Sequence, residues 1–171
     1  DHVTVSSLLG TARRQARSRS EIYLKYHYML GDPVISSALR LHVTSALGGD
    51  DATGNTVFVE ELPDTEKSKE MQRYVEEIRR DLEPLFNRIA HSVAFNAAGF
   101  GDAYGRVWSK EGEGVQDIDI SELVFPPLVQ PYERGNRTEG YMITTGPKFK
   151  VPMRIDQMVR MKLPRMVYVP Q

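Results

Sequence analysis

The stretch DLEPLFNRIAHSVAFNAAGFGDAYGRVW, residues 81–108, changes its period midway, and that change decides the fold class. Up to Ala98 the apolar residues Leu82, Leu85, Phe86, Ile89, Val93 and Ala97 recur at helical spacing. After Gly99, Tyr104, Arg106 and Trp108 alternate with Ala103, Gly105 and Val107, the two-residue period of a strand. Read backwards, the helical stripe extends through Ile78, Val75, Tyr74 and Met71 to about Thr65. Pro84 lacks a backbone donor, so the run is either one kinked helix or two, the second capped by Asp81. Small residues Ala97-Ala98 and then Gly99 predict its end.

Two further helices are expected upstream. Ser20 is a predicted N-cap, followed by Ile22, Tyr23, Tyr26, Met29 and Leu30, with Gly31 as the stop. Asp32-Pro33 then places a cap before a proline at the first helical position, where a missing N–H costs little. Ile35, Leu39, His42, Val43 and Ala46 form one face, and Gly48-Gly49 ends the helix. A polar loop over residues 48–56 leads to an expected short strand, Val57–Val59.

Downstream of Trp108, a turn at Lys110–Gly114 precedes strand candidates at 115–120, 123–132, 139–144, 148–153 and 157–163. Pro126-Pro127, Arg134-Gly135-Asn136 and Thr145-Gly146-Pro147 mark turns between them, and Pro131 and Pro152 suggest strand ends or edges. Helices first and strands afterwards predict an α+β fold with a mainly antiparallel sheet rather than a βαβ layout. Residues 1–19 read as a flexible basic arm, and residues 20–171 as one domain, the whole being expected as a fragment of a longer chain.

Composition excludes several classes. The 171 residues hold 22 Lys and Arg against 23 Asp and Glu, a formal net charge of -1, so no strongly basic field surrounds the chain. Any nucleic-acid contact must come from a local patch. Cys is absent, which removes disulfides and thiolate zinc sites and fits a reducing cytoplasm. No apolar run approaches the roughly 18 residues of a membrane span, so no membrane partner is expected.

His2, His27, His42 and His91 include no pair at the i, i+4 spacing of a helical metal site, and His42 and His91 read as helix residues. Gly99-Phe100-Gly101 with Gly105 follows a helix instead of opening one, unlike a phosphate loop. Asp117 and Asp119 share one face of a strand, which reads as a solvated face before a metal or catalytic pair. No catalytic residue, metal ligand or cofactor is therefore assigned. The weak candidates for a DNA-facing or interface role are basic: Arg13, Arg14, Arg17 and Arg19 in the arm, and Lys148, Lys150, Arg154, Arg160 and Lys162 near the C-terminus. For the second group the preferred reading is a half-exposed sheet with Val151, Met153, Ile155 and Val159 inward.

Three segments together resemble phage portal proteins. Residues Arg19–Leu47 contain a Tyr- and Met-bearing helix (Met29), then Asp32-Pro33, then Val34-Ile35 and Ala38-Leu39. Residues Leu85–Tyr104 follow with a long helix, small residues, and Gly101-Asp102 turning into Tyr104-Gly105-Arg106-Val107. The stretch Leu123–Glu133, with Val129-Gln130-Pro131, then Gly140-Tyr141, is similar to the extended sheet wall of that family. The resemblance covers residues 19–163 and implies the wing-type α+β domain of a tailed-bacteriophage portal subunit. It implies a structural role without enzymatic activity, in a ring that is a dodecamer in the full-length family and sits at a capsid vertex of the virion after assembly in the host cytoplasm. The implied partners are further copies of the chain, capsid, scaffold and tail-connector proteins, terminase through regions not recognisable here, and double-stranded DNA without sequence preference. A conduit holds DNA without gripping it, and near-zero net charge is compatible with that. The competing readings are a cytosolic metal-dependent enzyme using Asp117, Asp119 and a histidine, and a nucleic-acid-binding module using the two basic groups.

Overall fold

A computed structural model describes residues 18–49, 54–60, 69–135, 137–146 and 148–163. Among the described residues three helices precede six antiparallel strands, an α+β fold. Helix α1, Arg19–Leu30, starts two residues earlier than Ser20 as the cap would place it. Ser18 caps it instead, because Glu21 stands three residues on: Ser18 Oγ accepts from Glu21 N at 3.3 Å and Ser18 N donates to Glu21 Oε2 at 3.1 Å. Helix α2, Pro33–Leu47, is capped as expected, with Asp32 Oδ1 accepting from Val34 N at 2.8 Å and Ile35 N at 3.2 Å.

Helix α3 runs unbroken over Lys69–Phe100, 32 residues or about 48 Å, with Pro84 inside it. Its end lies beyond Gly99. Gly101, at φ 86°, makes the left-handed turn and donates to Ala97 O at 2.7 Å. Gly99 serves packing: a Cβ there would stand 2.9 Å from Leu30 Cδ1, so its absence lets α1 approach α3.

The expected strand Val57–Val59 has no strand partner among the described residues. Side chains of α3 take its backbone groups instead. Asn87 Oδ1 accepts from Thr56 N at 2.7 Å and Val57 N at 3.0 Å, while Asn87 Nδ2 donates to Val57 O at 2.8 Å. Arg79 Nη2 donates to Val59 O at 3.0 Å. A segment satisfied this way needs no sheet.

The first sheet has the order β2-β1-β6, with β1 at Asp102–Lys110, β2 at Gly114–Asp119 and β6 at Met158–Lys162. Gln116 is the extra residue of a bulge, since Trp108 faces Asp117 and Ser109 faces Val115. The second sheet has the order β3-β4-β5, from Val129–Arg134, Arg137–Thr144 and Lys150–Met153. The predicted strand 123–132 is a strand only from Val129; before it lie two 3-10 turns, Glu122–Val124 and Pro126–Leu128, because two consecutive prolines supply no ladder donors. Tyr104, Val124, Val129, Tyr141, Ile143, Met153 and Met158 form a buried cluster joining the two sheets. A second cluster, Leu85, Ile89 and Ile118 with Phe86, Val93 and Val159 against it, joins α3 to the other face of the first sheet. Val151 and Ile155, expected inward, are exposed; Met153 and Met158 occupy the interior there.

Candidate functional site

Where α1, β1, β3 and β6 converge, a carboxylate is buried. Asp102 opens β1 directly after the Gly101 turn and is 2% exposed. The alternation of the strand puts Tyr104 on the same face, and the register with β6 sets Tyr104 opposite Arg160. Tyr23, one turn into α1 from Arg19, reaches the same point from the helix. Tyr23 Oη donates to Asp102 Oδ1 at 2.6 Å and Tyr104 Oη to Asp102 Oδ2 at 2.7 Å. Arg160 approaches Oδ2 with Nε at 3.0 Å and Nη2 at 2.8 Å. Arg19 Nη2 lies 3.2 Å from both carboxylate oxygens, and its Nη1 donates to Val129 O at the start of β3. Arg160 Nη1 also donates to Glu133 Oε1 at 2.6 Å. The Arg19 guanidinium lies 4.1 Å from the centre of the Tyr23 ring.

Two arginines thus balance two carboxylates, which is what makes burial of the charges tolerable. Burial pushes the Asp102 carboxyl up, but the Tyr23 and Tyr104 hydroxyls and the Arg19 and Arg160 guanidiniums outweigh it and hold the group below the ordinary carboxylate range. Burial, reinforced by hydrogen bonding to Asp102, pushes the Tyr23 hydroxyl up to about 12 and raises Tyr104 as well. Burial lowers Arg160, yet Glu133, Tyr104 and Asp102 together keep it above its usual value. The shifted groups of this cluster therefore hold one charge state across neutral pH, and the arrangement suits fixing elements in place rather than moving protons.

A cleft of about 450 Å³ lies beside the cluster, bordered by Arg19, Gln130, Glu133, Arg160 and Lys162. It brings together three of the basic residues singled out in the sequence. Arg19 and Arg160 are engaged with Asp102, whereas Lys162 is exposed at the rim. Lys148 and Lys150 are exposed near the start of β5, and Arg154 pairs with Asp156. Arg13, Arg14 and Arg17 lie outside the described residues.

No family model, curated protein or solved structure matches the chain. Its site must be read from its own geometry.

Asp117 is paired with Arg88 of α3, and no group of three or more His, Asp or Glu residues among the described ones is placed to hold a metal ion. His91 Nε2 lies 3.4 Å from Thr44 Oγ1, linking α3 to α2, and the His27 ring stands edge-on to Phe125 at 5.6 Å. No helix among the described residues is long and apolar enough to cross a membrane. Sequence reading missed Asp102 as a centre because Gly101-Asp102 looks like an ordinary turn. The available signal was the alternation of Asp102, Tyr104 and Arg106, which sets a carboxylate on the face of a buried tyrosine.

Proposed function

We propose that the chain is a structural module that works by contact with other copies of itself, the wing-type part of a phage portal ring through which double-stranded DNA passes. The observation that supports this most is the exposed apolar side chains of α1 and α2. Tyr28 is 71% exposed, Val34 77% and Leu41 70%, with Leu24 and Met29 also open to solvent. Scattered apolar residues on a surface are ordinary, but seven large ones on two consecutive helices, Tyr26 and Ile35 included, are what a protein interface requires. The Asp102 cluster fits the same role. It fastens the start of α1 to both sheets, so the hairpin is presented at a fixed angle, and a ring subunit needs that pre-set geometry.

On this reading the remaining partners are the capsid, scaffold and tail-connector proteins, with terminase engaging regions beyond the recognisable segments. DNA contact is loose and carried by exposed lysines such as Lys148 and Lys150, without base recognition. The test is electron microscopy of the chain beside the double variant Val34→Glu/Leu41→Glu. Ring or arc-shaped particles for the parent and none for the variant support the reading. Featureless monomers of the parent at every concentration overturn it.

A further inference from the structure

We infer that the first sheet continues from one copy of the chain into the next, the free edge of β6 pairing with the free edge of β2 of a neighbouring copy. The inference rests on the subunit-contact reading above and names the surface that would carry the contact.

Among the described residues four strands are sheet edges, β2 and β6 in one sheet and β3 and β5 in the other. The second sheet carries Pro131 in β3 and Pro152 in β5, and proline is a standard means of blocking edge-to-edge pairing. Neither edge of the first sheet contains proline. Along β6, Leu163 N donates to Gly101 O at 3.0 Å and Met161 faces Ala103. Backbone groups alternate sides in such a ladder, so those of Arg160 and Lys162 point away from β1. Among the described residues nothing pairs with them.

The two edges match. Both β2 and β6 run antiparallel to β1, hence parallel to each other, so a rotated copy can set its β2 alongside β6 without inverting the sheet. That contact is head-to-tail, the kind that closes into rings. On the face shared with Tyr104, β6 presents Lys162, and β2 presents Asp119. Neither has an ion pair within its own copy among the described residues. On the opposite face, Val159 and Met161 of β6 would continue into Ile118 and Ile120 of the neighbour. On that side an apolar groove of about 320 Å³ is bordered by Met161 and Leu163, by Ala90, Ala94 and Ala97 of α3, and by Leu47 and Val57. A strand added to β6 would be backed by this groove.

The experiment is sedimentation velocity on the chain and three variants: Lys162→Glu, Asp119→Lys and Lys162→Pro. Each charge variant alone sets like charges across the contact, so its self-association should weaken by about tenfold or more. Mixing the two should restore association to the parental level, because every contact in an alternating assembly then joins opposite charges. Lys162→Pro removes an outward-pointing N–H together with the Lys162 charge, so it should abolish association while leaving the thermal melt unchanged. Variants that associate as strongly as the parent would overturn the edge contact while leaving the subunit reading standing. A mixture that fails to recover would likewise overturn it, and a parent that never associates removes both.

Discussion

The hydroxyl of Tyr23 donates to Asp102 Oδ1 at 2.6 Å although 79 positions separate the two residues along the chain. That bond joins the first helix to the first strand. Since Arg19 and Arg160 close on the same carboxylate, it also makes the position of the α1–α2 hairpin depend on one buried charge.

Removing that charge should be costly. Asp102→Ala leaves two guanidiniums facing each other with little solvent, and breaking such a pair costs about 3–5 kcal/mol. Tyr23→Phe removes the bond its hydroxyl donates to Asp102 and the one it accepts from Arg19 Nη2, and should cost at least about 1.5–3 kcal/mol. Urea denaturation measures both, and an Asp102→Ala loss no larger than that of an exposed ion pair would show that the cluster does not hold the fold.

The same groups set the response to pH. Asp102 is depressed in the folded state, so its contribution is complete above the unfolded carboxylate value of about 3.9 and disappears as pH falls through the lower folded value. Tyr23 is raised, so its contribution is complete below the unfolded tyrosine value of about 10 and disappears as pH rises through about 12. Denaturation midpoints should therefore be flat near neutrality with respect to these groups, falling at both extremes. In Asp102→Asn the acid limb should be shallower.

Much of this was legible in the sequence, and the reason is local. The Asp32-Pro33 start and the Gly48 stop depend on neighbouring residues only, and both hold; the switch from helix to strand holds too, two residues beyond Gly99, at Gly101. What was not legible depends on distant partners. Arg19 reads as the end of a solvated arm until α1 is folded against Asp102, 83 positions away. Val57–Val59 has strand-like residues, but whether it pairs is decided by Asn87 and Arg79 on α3. At Pro126-Pro127 the turn signal was visible, and the strand drawn across it was the error.

Gly105 offers a packing test. A Cβ at this position would stand 2.7 Å from Ile118 Cγ2 and 3.2 Å from Val159 Cγ1, both on β-branched side chains with little freedom to move. Gly105→Ala should destabilise by about 1–3 kcal/mol despite the better strand propensity of alanine. A neutral or stabilising effect in the thermal melt would mean that α3 and the first sheet are less closely packed than described.

Asn87 offers a local one. Asn87→Ala deprives Thr56 N and Val57 N of their acceptor, so both amides should lose hydrogen-exchange protection while the centre of α3 keeps its own. Unchanged protection would show that other contacts hold residues 54–60.

The most direct test of the central claim is the mass of the chain in solution, followed by native mass spectrometry across a rising concentration series. A molecule built for contact between copies should pass from monomer to discrete multimers, with Val34→Glu/Leu41→Glu shifting the transition to higher concentration. A single monomeric mass throughout, identical in parent and variant, would contradict the account.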